Sequence, residues 1–139
     1  MIDIKSLSEE ALDEVAEGFE SIEECDRMSF LFIQNPWVLH KTVEWAKSQK
    51  LYVKRSAFVL MCALAQRDEH HKNFVFRVFL PILQRESVDE RSEIQEVIVD
   101  AFVAIAQRNE KLKKSVFETI KSLDPVLQVS IQKACELLA

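Results

Sequence analysis

The sequence contains very little glycine and proline. One Gly and three Pro occur among 139 residues, too few to supply the turns that β-hairpins need. Hydrophobic residues make up 48% of the chain and charged residues 29%, a balance that is ordinary for a globular protein and too apolar for a disordered one. We therefore predict an all-α fold in a single domain, residues 1–139.

Long apolar runs are also absent. No stretch approaches the roughly 18 apolar residues of a membrane span, and the N-terminus lacks a basic flank followed by an apolar core. The three cysteines, Cys25, Cys62 and Cys135, are odd in number and widely spaced, unlike a disulfide framework or a CxxC metal site. We expect reduced thiols in a cytoplasmic protein that has no membrane partner.

Several catalytic motifs are missing from the chain. With a single Gly it can hold no Walker loop and no Rossmann glycine pattern, and it has neither an HExxH helix nor a nucleophile elbow. His70 and His71 are adjacent, without the i, i+4 spacing of a helical metal pair and without a nearby Cys. We predict a solvated turn at these histidines, no metal site and no cofactor.

An internal repeat organises the remainder. Residues 63–69, ALAQRDE, return as residues 104–110, AIAQRNE, at an offset of 41 residues. A period of roughly 40–47 residues that carries two helices is typical of HEAT and armadillo repeats. The sequence thus predicts a HEAT-like α-solenoid of antiparallel helix pairs, with about eight helices and a concave face suited to binding.

Cap and turn residues divide the chain into these helices. The predicted starts are Ser6 and Ser21 as N-caps, Pro36 at the first position of the third helix, and Asp124-Pro125 at the last. Pro81 falls inside the fifth helix, where we expect a kink or two short pieces. In the fourth helix, the apolar face leaves Lys54 and Arg55 to one side.

Charge is unevenly distributed along the chain. The net charge is −5 overall, but residues 1–26 carry −9 and residues 27–139 carry +4. We distinguish an acidic N-terminal helix, residues 1–20, from a repeat body, residues 21–139. The body could meet a polyanion while the acidic arm keeps the protein soluble or modulates that contact, and a solvated helix face is the alternative.

Basic residues flank an aromatic residue at the start of the fourth helix. Lys50, Lys54 and Arg55 surround Tyr52, and a helix N-terminus with Lys and Arg is a good phosphate holder. Tyr52 could lie against a sugar or a base. An exposed helix start with ordinary charges is the alternative.

Asp26 is the one candidate catalytic group. It lies inside the second helix, next to Cys25 and one turn after Ile22. A carboxylate on the inner face of a solenoid could stabilise a developing positive charge or orient a water molecule. A capping or salt-bridging role for Asp26 is the alternative.

Longer stretches resemble a known family. Residues 43–57, VEWAKSQKLYVKRSA, together with residues 87–91 and 104–109, resemble the DNA alkylation repair family, HEAT-like bacterial glycosylases that excise alkylated purines. The similarity spans roughly residues 25–138. It implies a concave DNA-binding surface, and a mechanism in which an Asp supports loss of a cationic base without extruding that base into a deep pocket.

The resemblance also assigns residues. Cys25-Asp26 resembles the segment that bears the family's Asp, Arg55 resembles its DNA-contacting Arg, and Tyr52 stands where the family usually has Trp. Ile22 and Asp100 stand where the family places aromatic residues. Without those two rings, the contacts that hold a cationic nucleoside by stacking and cation–π attraction are lost.

Two functions from different classes follow. The first is a DNA-binding repair module whose glycosylase activity is weak or lost, with Asp26 as catalytic residue and double-stranded DNA as partner. Its DNA-binding residues would be Lys50, Tyr52, Lys54, Arg55, Arg91 and Arg108. The second is a non-enzymatic scaffold that holds a protein partner or a second copy. One shared concave stripe of these cations favours nucleic acid, and scattered positions favour the scaffold.

Overall fold

The computed structural model describes residues 3–138, and these residues form helices and no strands. A short 3-10 helix, Ile4–Ser6, precedes eight α-helices. The α-helices are α1 (Glu9–Glu17), α2 (Ile22–Phe32), α3 (Val38–Trp45), α4 (Leu51–Arg67), α5 (Asn73–Glu86), α6 (Ser92–Arg108), α7 (Glu110–Ile120) and α8 (Pro125–Leu137). The predicted all-α fold with about eight helices is confirmed. Residues 1, 2 and 139, the ends of the predicted domain, lie outside the described residues.

The repeated helices pack on one another. α4 and α6, which carry the 41-residue repeat, share the most extensive contact, and α2 and α8 extend this row on either side. We call α2, α4, α6 and α8 the inner layer. α5 and α7 pack together behind it, and α3 packs against α4. This alternation is compatible with stacked helix pairs.

α4 is buried on nearly every side. Eleven of its 17 residues are buried, because α2 and α6 flank it within the inner layer while α1 and α3 also pack against it. Lys54 and Arg55 are only 7% and 3% exposed. The expectation that these two cations lie off the buried surface of α4 is therefore wrong, and each must be paired to be tolerated inside.

Caps at three helix ends follow the sequence. The Ser21 hydroxyl accepts a hydrogen bond from the Glu24 amide at 3.1 Å, and the Asp124 carboxylate accepts one from the Val126 amide at 3.3 Å. Gly18 ends α1. The two N-caps confirm that α2 and α8 begin where the sequence predicts.

Two predicted helix starts are wrong. Ser8, not Ser6, caps α1. Ser6 belongs to the 3-10 helix, where its hydroxyl donates a hydrogen bond to the Asp3 carboxylate at 3.0 Å. Pro36 is not the first residue of α3, which begins at Val38. The Asn35 side chain accepts the Trp37 amide at 2.8 Å, and this turn delays the helix by two residues.

α5 continues through Pro81, so the alternative of two short pieces is wrong. Pro81 is exposed, and water can therefore satisfy the carbonyl one turn earlier that has lost its donor. Across residues 3–138 no helix is both long and apolar enough to cross a membrane.

Candidate nucleic-acid interface

An open groove runs across the inner layer. It has a volume of about 280 Å³ and receives side chains from α2, α4, α6 and α8, among them Asp26, Arg55, Cys62 and Asp100. The remaining lining residues are aliphatic or carry amides, and none of them is aromatic. We call this feature the inner groove. It brings the predicted catalytic Asp26 and the predicted DNA-contacting Arg55 to the same surface.

Asp26 and Arg55 form a bidentate ion pair in the groove. Arg55 Nε donates to Asp26 Oδ1 and Arg55 Nη2 to Asp26 Oδ2, each at 2.9 Å. Arg55 Nη1 donates to the backbone carbonyl of Glu93 at 2.6 Å. The Arg55 side chain is 4% exposed and that of Asp26 is 40% exposed. The carboxylate thus faces the groove, while the guanidinium holds it from below.

The groove is acidic around this pair. Burial raises the pKa of Asp100, and the neighbouring Glu96 carboxylate raises it further. Burial likewise raises the pKa of the Cys62 thiol, and the negative charge of Asp100 adds to the effect. Cys62 is therefore a neutral thiol and not a nucleophile at neutral pH. The chemistry of the groove rests on carboxylates.

Lys54 lies outside the groove in a second cluster of charges. Its ammonium donates to Asp89 and to Glu86, each at 2.8 Å, and Arg91 Nη2 donates to Asp89 at 2.7 Å. The bond from Arg91, reinforced by the one from Lys54, holds the pKa of Asp89 well below its usual value. Burial opposes ionisation of Glu86, yet hydrogen bonds from Lys54 and Arg85 outweigh it and lower the pKa.

Lys50 and Arg91 lie at equivalent ends of the two repeated helices. They are the N-cap residues of α4 and α6, 41 positions apart, and within the described chain no side chain caps either first turn. Arg91 Nη1 donates to the Gln49 carbonyl at 3.2 Å, which places the two residues side by side. Their side chains are 64% and 37% exposed. We call this pair the basic edge.

Acidic residues and an aromatic ring adjoin the basic edge. Lys50 Nζ lies 3.3 Å from Glu17 in an exposed ion pair, and Arg91 shares Asp89 with Lys54. Tyr52 lies in the first turn of α4, partly buried against the apolar core. The edge therefore offers one exposed ammonium, one half-exposed guanidinium and two uncapped helix N-termini.

Arg108 is remote from the other predicted cations. It stacks on the Phe76 ring at 4.3 Å and donates to the backbone carbonyl of Ala65, in the last turn of α4, at 3.1 Å and to that of His71, in the turn that follows, at 2.9 Å. The length of α4, roughly 25 Å for its 17 residues, separates this end from the basic edge. The predicted cations therefore do not form one concave stripe.

Sequence patterns gave no sign of a buried ammonium in α3. Lys41 is 1% exposed, and its ammonium contacts carboxylates of Glu9, Asp13 and Glu44 at 2.9 to 3.1 Å. Burial disfavours the charge, but these three acceptors together raise the pKa of Lys41. Lys41 shares its helix face with the apolar Trp45, and that spacing is the one signal that could have revealed it.

Two of these carboxylates and His40 form the one cluster within residues 3–138 with metal-ligand chemistry. Glu9, His40 and Glu44 bring their ligand atoms within 4.8 Å of one another. The Lys41 ammonium lies 3.0 Å from Glu9 and 3.1 Å from Glu44. It already compensates the negative charge that a cation would need, so this cluster is better explained as an ion-pair network.

Comparison with protein families gives a match over almost the whole chain. The model of the family described as DNA alkylation repair enzyme matches residues 11–138. The chain belongs to this family. No curated protein and no solved structure matches it. The matched range takes in α2 to α8, and therefore the whole inner groove.

Membership of the DNA alkylation repair family confirms the resemblance seen in the sequence and indicates a function related to DNA repair. At two positions this chain lacks the aromatic ring that the resemblance implies. Ile22 begins α2 and is partly buried, and Asp100 lies in the groove. At Asp100, where the resemblance implies a ring, the groove presents a carboxyl group.

Proposed function

We propose that this chain is a DNA-binding module of DNA repair that resembles alkylpurine DNA glycosylases and has weak or no glycosylase activity. The observation that carries this proposal is the family match over residues 11–138, which includes every helix that lines the inner groove. Asp26 lines that groove, and its 40% exposed side chain is accessible to a ligand. Duplex DNA is the proposed partner.

The proposed phosphate contact is the basic edge. Lys50 and Arg91 extend from neighbouring helix N-termini whose backbone N–H groups have no side-chain cap among the described residues. Uncapped helix N-termini favour anions through their free donors and the helix dipole. Two such termini side by side, each with a cation, can hold adjacent phosphates of one strand. Tyr52, in the first turn of α4, is the residue that we propose to lie against a sugar there.

Lys54, Arg55 and Arg108 would contribute to DNA binding indirectly. Each is held by protein oxygen atoms, and Lys54 and Arg55 are almost fully buried. Moving any of them to a phosphate would leave buried carboxylates or carbonyls without a donor. We therefore propose that these three residues fix the helices that carry the basic edge and the groove.

The state of Asp26 explains the proposed loss of activity. A carboxylate that stabilises a departing cationic base must keep its negative charge available to that base. The bidentate Arg55 compensates this charge at 2.9 Å. No aromatic side chain lines the groove to stack on a nucleoside. Both features lower the stabilisation that Asp26 can offer to a transition state.

Duplex binding at several salt concentrations tests the DNA proposal. Plain duplex and duplex with an abasic analogue would be titrated against wild type, Lys50→Ala and Arg91→Ala. Each substitution should weaken binding and lower the salt slope by about one, because each removes about one phosphate contact. Lys114→Ala is the matched control, since Lys114 is an exposed lysine of α7, away from the inner layer.

Either of two results would contradict that expectation. Wild type that does not bind duplex at low salt excludes the DNA proposal. Binding that falls in Lys114→Ala as much as in Lys50→Ala would show a diffuse attraction without the basic edge.

A base-release assay tests the catalytic part. Duplex that carries an N-alkylated purine would be incubated with wild type and Asp26→Asn, and the free base would be quantified. We expect release at or slightly above the uncatalysed rate, and at the uncatalysed rate for Asp26→Asn. Rapid release by wild type that Asp26→Asn abolishes would overturn the proposed loss of activity while supporting Asp26 as catalytic residue.

A protein scaffold is the second candidate. The observation in its favour is that Lys54, Arg55 and Arg108 are all bonded within the chain and scattered between two ends of α4. The acidic groove would then receive a protein partner and not DNA. Absence of duplex binding at low salt, with a folded protein, would favour this function.

The HEAT-like solenoid and the cytoplasmic location complete the proposal. Support for the solenoid comes from the 41-residue repeat and from the alternation of packed helices. Support for the location comes from the three free cysteines, which suit a reducing compartment. The division into an acidic helix, residues 1–20, and a repeat body, residues 21–139, also remains part of this proposal.

A further inference from the structure

α5 carries an exposed apolar stripe on the face of the helix that points away from the core. Phe74 is 66% exposed and Val78 is 52% exposed, and Pro81 is also exposed. The spacing i, i+4, i+7 places these three residues on one helix face. Phe76, Phe79 and Leu83 point inward from the same helix and are buried. We call Phe74, Val78 and Pro81 the α5 stripe.

The neighbouring helices leave the stripe uncovered. α5 lies along α7, where Arg77 Nε donates to the Ser115 hydroxyl at 3.4 Å and Gln84 Nε2 to the Ser122 hydroxyl at 2.8 Å. On its other side α5 has little contact with α3. The outer helices therefore do not form a continuous layer, and within residues 3–138 nothing packs over the α5 stripe.

Positive charge surrounds the stripe. Lys72 immediately precedes α5, and Arg77 and Arg85 are exposed on the helix itself. Among residues 3–138, neither Lys72 nor Arg77 makes an ion pair, and Arg85 pairs with Glu86 at 2.6 Å. Glu86, the one acidic residue of α5, is partly buried and also bonded to Lys54 at 2.8 Å. The exposed face of α5 thus combines apolar anchors with two cations, Lys72 and Arg77, that have no ion-pair partner among residues 3–138.

We propose that the α5 stripe is a docking site for an acidic amphipathic helix of a protein partner. Apolar side chains at helical spacing are the contacts that an amphipathic helix makes with its receptor. Lys72 and Arg77, at the N-terminal half of the stripe, complement glutamates or aspartates on the polar side of such a helix. Lys72 is also the N-cap of α5, whose first turn has no side-chain cap and favours a negative group.

Protein is favoured over nucleic acid at this surface. A phosphate backbone would gain from Lys72, Arg77 and Arg85, but it would bring charged oxygens against Phe74 and Val78 and leave those side chains without an apolar partner. An acidic amphipathic helix satisfies both kinds of group at once. The stripe lies on α5, apart from the inner groove and the basic edge, so this proposal does not depend on the DNA proposal.

Binding of designed helical peptides to the full chain tests the site. The probe is a peptide of about 18 residues, long enough to be helical, with leucines at every third or fourth position and glutamates at most others. Its control has lysines in place of the glutamates. Wild type, the double variant Phe74→Ser/Val78→Ser, Arg77→Glu and Val126→Ser would be titrated with each peptide by fluorescence anisotropy.

The acidic peptide should bind wild type and the lysine peptide should not. Phe74→Ser/Val78→Ser should weaken binding at least about tenfold, because both anchors are lost. Arg77→Glu should weaken it about tenfold and reduce its salt dependence. Val126→Ser removes a valine of α8 that is 74% exposed, and it should bind as wild type does. Because all the substituted residues are exposed, we expect the four proteins to fold equally well, and circular dichroism would verify this.

Three kinds of result would overturn the proposal. The first concerns the peptide: the acidic peptide does not bind wild type, or it binds the double variant equally well. The second is duplex DNA binding that Arg77→Glu abolishes and Phe74→Ser/Val78→Ser leaves intact, which would assign the surface to nucleic acid. The third is a concentration-dependent dimer in sedimentation that Phe74→Ser/Val78→Ser converts to monomer, which would make a second copy the occupant.

Discussion

Asp26 of α2 and Arg55 of α4 meet through two parallel hydrogen bonds of 2.9 Å, with the carboxylate open to the inner groove and the guanidinium buried beneath it. This pair joins two helices of the inner layer and also defines the chemistry of the groove. Because the buried partner is the cation, the contribution of Asp26 to stability is larger than its own exposure suggests.

Asp26→Ala should therefore destabilise the protein by about 3 kcal/mol, since it leaves the buried Arg55 guanidinium without its carboxylate. Urea unfolding followed by circular dichroism measures the change. The double variant Asp26→Ala/Arg55→Met should recover most of the loss, because it removes the unpaired charge as well. Glu118→Ala, which breaks an exposed pair with Lys121, is the control and should change stability by less than about 0.5 kcal/mol.

Asp89→Asn should make unfolding less dependent on acid pH. The pKa of Asp89 is lowered in the folded protein by its bonds to Arg91 and Lys54. A carboxyl group with a lowered pKa stabilises the fold above its unfolded pKa and loses this effect as the pH falls through its folded pKa. At neutral pH the variant should be less stable than wild type by about 3 kcal/mol.

That gap should begin to narrow as the pH falls below 3.8, the ordinary pKa of this side chain, and continue to narrow towards the lower pKa of the folded protein. Urea midpoints measured from pH 7 to about pH 2.5 would follow it. A gap of constant size across this range would show that the Asp89 charge does not stabilise the fold.

Asp100→Asn should change the stability at neutral pH in the opposite direction to Asp89→Asn. Burial, reinforced by Glu96, raises the pKa of Asp100, so the ionised carboxylate destabilises the folded state at neutral pH. Wild type should gain stability relative to the variant as the pH falls through the raised pKa towards 3.8. We expect a higher urea midpoint for Asp100→Asn at pH 7 and equal midpoints near pH 3. A lower midpoint for the variant at pH 7 would refute a raised pKa.

Arg108→Ala and Arg67→Ala offer a comparison between repeat-equivalent residues. Arg108 donates to several carbonyls at the end of α4, including Ala65 and His71, and stacks on Phe76. Arg67 is exposed and stacks on Phe30 at 4.3 Å. Arg108→Ala should cost about 2–3 kcal/mol because it leaves carbonyls unsatisfied, and Arg67→Ala about 0.5–1 kcal/mol. Equal losses in thermal unfolding would show that the carbonyl bonds add nothing.

Much of the fold could be predicted from the sequence because its determinants are local or periodic. The offset of 41 residues between Ala63 and Ala104 predicts that α4 and α6 are equivalent, and they are the most extensively packed pair. Ser21 and Asp124 cap the predicted helices. A cap bonds only to the backbone of its own helix, so it can be predicted from the local sequence. The prediction of Ser6 as N-cap is wrong because its hydroxyl is bonded to Asp3, three residues away.

The candidate site was less accessible, because its pairings are long-range. Helical spacing places Lys54 and Arg55 beside the apolar face of α4, but it does not show that the neighbouring helices bury them as well. Their partners, Asp89 and Asp26, are 35 and 29 residues away, and no pattern in the sequence joins such positions. The resemblance to the DNA alkylation repair family did select Asp26 and Arg55, and these two residues lie together in the groove.

The ion pairs of Glu9 and Asp13 with the buried Lys41 also determine how the acidic arm can be studied. Asp13 accepts a further bond from the Trp45 indole at 2.8 Å, so α1 is built into the fold and is no detachable tail. Removal of the residues before 21 would take away two of the three carboxylates that contact the buried Lys41 ammonium and should therefore destabilise the fold. Glu10, Glu14 and Glu20 are exposed and make no ion pair within residues 3–138. Their substitution by Gln would instead leave the fold intact and change only the electrostatic potential of the acidic arm.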